Sequence, residues 1–435
     1  MEMATTINIE APAPSRLSSG LSLRTWCSLF FLVGFTVRFA FVLIARTYEG
    51  SASTMTPFGP EICRIAAHIA AGKGFRSPFY GGDTGPTAWV APVYPYLVAA
   101  VFYLFGAYTK ASALILLGLQ CAMAAATGIT IWVLGTRSLG ERIGFWAAWI
   151  WTLSPIFFRW PCSWIWDFAA SGLLLAVALM LSLDAREKGA LGKWLWLGAL
   201  WGLIGLTNPV LLSIMPFSFL SAFFESRRAG RASLRNLAYA FVTFGVVIAP
   251  WLVRNERAFG RLVFLRDNYW FEFFLGNFHY SNGMGYLGKH PDANPRIYDQ
   301  IARMGELGFV AFHKREAFEF IRQYPREFID LTLHRAWWFW DGTSLLYQGR
   351  EWWSPWEFWP LAAVGWLGLL FVLTRRPRGW LLFAAALIIY PLPYYLAYPN
   401  AKYRYAIEPE LLLLGCYLIS ILWTEFGTRR LSPSR

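Results

Sequence analysis

The chain has 435 residues, of which 56% are hydrophobic and only 15% charged, with a mean hydropathy of +0.39. That balance excludes an ordinary soluble domain and makes lipid the main solvent, a setting that suits 24 Trp, 20 Tyr and 36 Phe because amphipathic rings settle where hydrocarbon meets headgroups. The formal charge of +13 raises nucleic acid as a partner, but the excess falls in short loops expected on the cytoplasmic side, where it sets orientation and contacts anionic membrane lipids, so no nucleic acid is expected.

The first twenty residues are polar and rich in Ser, Pro and Ala. The apolar run that follows is too long for a removed signal peptide and lacks its small-residue cleavage site, so it is expected as a retained span. Runs of spanning or near-spanning length lie at 26–45, 111–134, 145–158, 165–183, 194–207, 210–224, 237–253, 356–373, 380–396 and 406–423. Each is expected to be helical, because an unpaired backbone in lipid is costly. The stretch Val93 to Phe105 decides the topology, since counting it as a span would invert every later loop. Reading it as a helix on the outer membrane surface, framed by Pro92, Pro95 and Gly106, gathers Arg137, Arg142, Arg227, Arg228, Arg375, Arg376 and Arg429 on the inner side.

The organisation expected is a cytoplasmic tail 1–24, a transmembrane core 25–254 that includes a first outer loop 46–110, an outer periplasmic domain 255–355, C-terminal transmembrane helices 356–424 and a cytoplasmic tail 425–435. The fold class is therefore an all-α polytopic membrane protein of about ten transmembrane helices, with an amphipathic first outer loop and a mostly helical outer domain. That outer segment holds 12 Lys/Arg and 12 Asp/Glu, so its charge is balanced. Its first half is rich in turn residues such as Gly276-Asn277 and Ser281-Asn282-Gly283, and its second half, Ile297 to Trp340, has helical spacing that Pro325 should break. The sequence shows no internal repeat, which weighs against a secondary transporter with two related halves.

Candidate chemistry gathers at the outer ends of the spans. Ile62, Ile65, Ala66, Ile69 and Ala70 fall on one helical face with Glu61 at its start. Read alone, Glu61 is either a catalytic carboxylate at the membrane edge or an acidic residue favoured by the helix dipole. Asp167, in Trp164-Ile-Trp166-Asp167, lies close to hydrocarbon, where an ionisable group is expensive unless used or paired. Arg38, inside the first span, either snorkels outward or pairs with an acidic partner. Arg254-Asn255, Lys402-Tyr403-Arg404-Tyr405 and His334-Arg335 place cations among aromatics at helix ends, the setting of a lipid phosphate site and equally of interfacial anchoring. The five cysteines form no C-x-x-C pair and no zinc spacing, so no metal site is read from them. Cys63 and Cys162 both fall on the expected outer side, which leaves a bridge between them open.

Taken in order, Glu61, the Ala-Ala-Gly-Lys-Gly-Phe stretch, Gly-Pro-Thr-Ala, Pro-Val-Tyr-Pro-Tyr, Trp166-Asp167, Asn208-Pro209, Pro250-Trp251 with Arg254-Asn255, and Lys-Tyr-Arg-Tyr span nearly the whole chain. In this order the chain resembles the C-type superfamily of glycosyltransferases, in the bacterial branch similar to dolichyl-phosphate-mannose protein mannosyltransferases and the lipid A aminoarabinose transferase. The positive-inside reading puts both termini on the cytoplasmic side, and the resemblance implies an inner-membrane enzyme with an outward-facing site. It would transfer a sugar from a polyprenyl-phosphate donor to a hydroxyl or amine on a lipid, glycan or protein acceptor, with inversion. It further implies Glu61 and Asp167 as catalytic residues and Arg404, Lys402, Arg254 and Arg335 as donor-phosphate ligands, with Arg64, Tyr94, Asn255 and Tyr405 binding substrate. Relatives often carry an Asp or an acidic pair in the first loop, so Glu49 is an alternative base. One first-loop carboxylate plus a distant Asp167 is a thin ligand set, so a bound divalent cation is only weakly supported and no other cofactor is expected. A transporter or flippase of lipid-linked sugars, or a non-catalytic envelope assembly partner, is the alternative reading.

Overall fold

The computed structural model describes residues 22–49, 57–184, 190–230, 234–343 and 354–430. Most of the expected N-terminal tail, the end of the expected outer segment at 344–353 and the last five residues lie outside these.

The described residues form helices and connecting turns, with no strand among them. The first half holds α1 (Leu23–Ile44), α2 (Pro60–Ala70), α3 (Val93–Phe105), α4 (Lys110–Ser138), α5 (Glu141–Leu153), the short α6 (Arg159–Ser163), α7 (Phe168–Leu183), α8 (Ala190–Gly205), α9 (Met215–Arg228) and α10 (Leu234–Phe259). An extramembrane segment follows with α11 (Tyr269–Gly276), α12 (Pro295–Met304), α13 (Glu306–Gln323) and α14 (Pro325–Asp341). The chain closes with α15 (Ser354–Arg375), α16 (Trp380–Ala384), α17 (Leu392–Leu396), α18 (Ala401–Arg404) and α19 (Glu408–Arg430).

Local chemistry accounts for many of these boundaries. Ser22 caps α1 by accepting from Thr25 N at 3.2 Å, and Thr109 caps α4 by accepting from Ser112 N at 3.1 Å. Pro325 breaks the helical run as expected and opens α14, where a missing N–H costs nothing. Asn208 turns α8 toward α9 by accepting from Val210 N ahead of a 3-10 turn at Pro209–Ser213. The apolar run at 380–396 is helical but irregular. It opens into a π turn at Ala385–Ile389, a widening that recurs at functional sites.

The protein is an integral membrane protein. Stretches at Leu23–Ile44, Lys110–Ser138, Leu234–Phe259, Phe358–Arg375 and Ala401–Glu425 are long and apolar enough to cross a bilayer, and shorter apolar helices include α3 and α7. Helix α4 packs on α1, α5 and α7, α10 lies along α8, and α15 lies along α19. Arg38 is buried within this bundle. Its guanidinium neither snorkels nor meets a carboxylate: it donates to the carbonyls of Gly34, Trp151 and Thr152 and lies over the Phe158 ring.

At one end of the bundle the first loop and the extramembrane segment share a second core that includes Ile62, Ile65, Trp89, Phe271 and Phe309. Buried polar links fasten the two. Glu306 accepts from Thr87 Oγ1 and, at 2.6 Å, from Ala88 N, while Asp267 N donates to Ala88 O at 3.1 Å. Arg335, fully buried, donates to the carbonyls of Gly276, Gly283 and Leu396 and to Asn277 Oδ1. A Cβ on Gly276 would overlap the Ala397 carbonyl, so only glycine allows that approach.

Burial pushes the neighbouring carboxyls of Asp267 and Glu306 upward, and each raises or restrains the other, so the pair retains a proton that the unfolded chain gives up near pH 4. The folded state therefore binds more protons than the unfolded one, and stability is lost as pH rises through the raised values. The thermal-unfolding midpoint in detergent is expected to fall between pH 5 and pH 8, and Asp267→Asn should flatten that slope. A slope unchanged in the variant would show that the pair carries no linked proton.

Candidate functional site

A buried amide sets the site's geometry. Gln120, on α4 and fully buried, accepts from Tyr94 Oη at 2.6 Å and from Trp166 N at 2.9 Å, and its Nε2 donates to the carbonyls of Pro161 and Trp164 at 3.0 Å each. Both donor hydrogens and both lone-pair sites of the amide are thus occupied, and three segments are tied to one point. Beside it, Ile165 N donates to Pro57 O at 2.7 Å, and Phe58 and Ile165 form a parallel bridge. This contact brings the residues before α2 against the segment before α7, so Glu61 and Asp167 line one cavity although 105 positions separate them.

That cavity, about 390 Å³, lies between the first loop, the N-terminal end of α7, the extramembrane segment and the 390–406 region. Glu61 stands in the first turn of α2 with its side chain 14% exposed, and its Oε1 is 3.7 Å from His290 Nε2. His290 Nδ1 accepts from Asp292 N at 3.3 Å, which leaves the ring's other nitrogen as the donor toward Glu61. Burial raises the Glu61 carboxyl above its ordinary value, with His290 acting against that rise and Asp292 adding to it. Asp167 accepts from Ser171 Oγ at 3.1 Å, and Asn208 Nδ2 supports Ser171 at 3.3 Å.

Two cations face these acids. Lys402 Nζ lies within 5.5 Å of the Trp164, Trp166 and Tyr403 ring centres and makes no hydrogen bond or ion pair among the described residues. Arg266 lines the same cavity, and its guanidinium likewise has no hydrogen-bond or ion-pair partner there. The turn that carries Arg266 is held firmly. Leu265 adopts φ 58°, uncommon outside glycine, and its carbonyl accepts from Trp251 Nε1 at 2.7 Å and from Asn255 Nδ2 at 3.5 Å.

Of the residues singled out from the sequence, the cavity unites Glu61, Asp167, Lys402 and Tyr94. The others lie elsewhere. Arg64 pairs with Asp292 at 2.5 Å and donates to Pro78 O, so it positions a lining carboxylate. Arg404 is buried against Glu408 at 3.3 Å and donates to Trp340 O at 2.7 Å. Arg335 fastens the extramembrane segment, Asn255 braces the Arg266 turn, and Tyr405 packs within the bundle against Trp151. Arg254 donates to the carbonyls of Phe75 and Thr87 and borders a different cavity. Glu49 is outside the site, held down to about 2 by Arg46 and Lys110, which pair with it at 2.7 and 2.9 Å. Cys63 and Cys162 are both free, and Cys162 stands 3.8 Å from Cys121 instead.

The sequence reading missed Arg266, His290, Glu272 and Gln120. Glu272 accepts from Tyr398 Oη at 2.7 Å and from Asn268 Nδ2 at 3.0 Å on the cavity wall. The one available signal was the polar run Arg266-Asp267-Asn268 a few residues after a span. Among the described residues no group of three His, Cys, Asp or Glu side chains is arranged to hold a metal ion, and Asp292 is engaged by Arg64.

Replacing Gln120 by Leu would strand two carbonyls, an N–H and a phenol in a dry site, a loss of about 3 kcal/mol or more. The thermal midpoint of Gln120→Leu should drop by several degrees, while Leu119→Ala, at an exposed neighbour, leaves it near wild type. Equal midpoints would remove Gln120 from its organising role.

Residues 89–253 match the family described as dolichyl-phosphate-mannose-protein mannosyltransferase. The fold is similar to that of an oligosaccharyltransferase from Archaeoglobus fulgidus in a crystal structure with Zn and sulfate, at TM-score 0.52 and 15% identity over 92% of this chain and 50% of that one. The same archaeal protein tethered to an acceptor peptide containing the NVT sequon matches at TM-score 0.54 and 14% identity, covering 94% of this chain and 51% of that one. ArnT from Cupriavidus metallidurans, bound to undecaprenyl phosphate, matches at TM-score 0.40 and 13% identity over 95% of this chain and 82% of that one. The chain thus spans about half the length of the archaeal protein. No curated protein sequence matches it. The family match and the archaeal fold together bear out the resemblance to C-type glycosyltransferases.

Proposed function

We propose that this protein is a membrane glycosyltransferase that moves a sugar from a polyprenyl-phosphate donor to an acceptor hydroxyl or amine in the cavity between Glu61 and Lys402. The observation that carries this reading is one cavity in which two carboxylates, Glu61 and Asp167, face two cations, Lys402 and Arg266, whose side chains make no direct hydrogen bond or ion pair among the described residues. Such cations suit a phosphate, and the aromatic frame around Lys402 lowers the water available to compete for it.

Glu61 takes the proton from the acceptor as its oxygen or nitrogen attacks the anomeric carbon. The new bond forms as the bond from that carbon to the phosphate oxygen breaks, and the electron pair departs on the phosphate. Positive charge develops on the sugar ring, and Asp167 stands where a second negative charge orients the acceptor or the ring. Lys402 and Arg266 hold the departing phosphate, so no acid is required on that side. One displacement inverts the anomeric centre. The donor's isoprenoid tail remains in the bilayer while its sugar occupies the cavity, which in this reading faces outward with both termini cytoplasmic.

The test is release of free polyprenyl phosphate from a panel of polyprenyl-phosphate sugars by the purified protein. Wild-type release should collapse by about two orders of magnitude in Glu61→Gln or Asp167→Asn with folding intact. Because Glu61 serves only when ionised and its proton is held more tightly than in water, the rate should climb with pH above the ordinary carboxylate range. No release from any donor, or release indifferent to both substitutions, would favour a transporter or an assembly partner.

A further inference from the structure

A second cavity, about 440 Å³, opens at the C-terminal end of α10 and shares no lining residue with the first. Four cations border it, Lys73, Arg76, Arg254 and Arg257, and no carboxylate does. Arg76 is paired with Asp83, and the guanidinium of Arg254 is fixed by the Phe75 and Thr87 carbonyls and lies 4.7 Å from the Trp251 ring centre. Lys73 and Arg257 are exposed, and their side chains have no hydrogen-bond or ion-pair partner among the described residues. Lys73 sits between Gly72 and Gly74, whose φ values of 74° and 86° carry the chain round a tight turn that delivers its side chain to the cavity rim.

The place of this cavity in the bilayer identifies its occupant. Helix α10 is long and apolar enough to span, and its flank exposes Val246 and Val253 as a lipid-facing helix does. Arg254 and Arg257 stand in its last two turns, where hydrocarbon gives way to headgroups. Pro250 and Val253 offer an apolar floor directly below the cations. A phosphate above an acyl chain matches that order of surfaces, and a soluble anion would make no use of the floor.

We propose that this cavity binds the phosphate of an anionic membrane lipid at a site separate from the sugar-transfer cavity. Pro86 borders this site and Trp89 borders the other, so the segment between them is a common wall. A lipid held here would brace that wall from the side opposite Glu61. The site does not depend on the donor assignment, so its failure would leave the transferase reading standing.

Native mass spectrometry of the detergent-purified protein titrated with short-chain phosphatidylglycerol, phosphatidylcholine or inorganic phosphate tests it. Wild type should bind one phosphatidylglycerol saturably and in preference to phosphatidylcholine, and Lys73→Ala with Arg257→Ala should weaken that binding about tenfold. Both side chains are exposed, so the variant should keep the wild-type thermal midpoint. Inorganic phosphate binding as tightly, with the same loss in the variant, would overturn the lipid assignment in favour of a soluble phosphate. Phosphatidylglycerol binding no tighter than phosphatidylcholine, or equal in variant and wild type, would overturn the site altogether.

Discussion

A single buried side-chain amide, Gln120, is the constraint on which the arrangement of the site depends. An amide in a dry helical bundle must have every hydrogen bond made, and Gln120 makes its four by drawing Tyr94 of α3, Pro161 of α6 and the Trp164–Trp166 turn to one point. The turn so fixed delivers Asp167 at the head of α7. It also presents Ile165 to Phe58, and through that bridge Glu61 arrives opposite Asp167. Neither carboxylate reaches the cavity by its own helix's preference. Both are placed by polar groups that the bundle cannot leave unpaired.

The same rule governs the extramembrane segment. It contributes Arg266, Glu272 and His290 to the cavity, and it is fastened to the first loop by Glu306 on Thr87 and Ala88 and by Arg64 on Asp292. Most buried arginines here are spent on carbonyls. Arg38, Arg335 and Arg404, and the half-buried Arg254, each donate to backbone oxygens. Lys402 and Arg266 are the contrast, since both line the Glu61 cavity with no side-chain acceptor among the described residues.

Much of the architecture was legible in the sequence because helical runs and punctuation are local signals. Val93 to Phe105 forms a helix with those bounds, Pro325 begins a new helix, and Glu61 heads an amphipathic one. Glu61, Asp167 and Lys402 stand out in the sequence because acids and cations near span ends are expensive, and Tyr94 through the Pro-Val-Tyr-Pro-Tyr segment of the resemblance; all four line one cavity. The four cations proposed for one phosphate were not separable by sequence, because nothing in Arg335 or Arg404 announces that a carbonyl will consume it. Arg266, His290 and Gln120 escaped notice for the complementary reason: their roles arise from contacts between segments far apart in the chain, and each is unremarkable among its sequence neighbours.

In the proposed reading the donor phosphate is held by Lys402 and Arg266 beside Glu61 rather than by the arginines placed elsewhere. Cryo-electron microscopy of the protein with bound polyprenyl phosphate tests it most directly. Phosphate density is expected within hydrogen-bond distance of both Lys402 Nζ and the Arg266 guanidinium, with the isoprenoid tail leaving toward the bilayer. Phosphate density at Arg254 and Arg257, with the Glu61 cavity holding no part of the lipid, would contradict it.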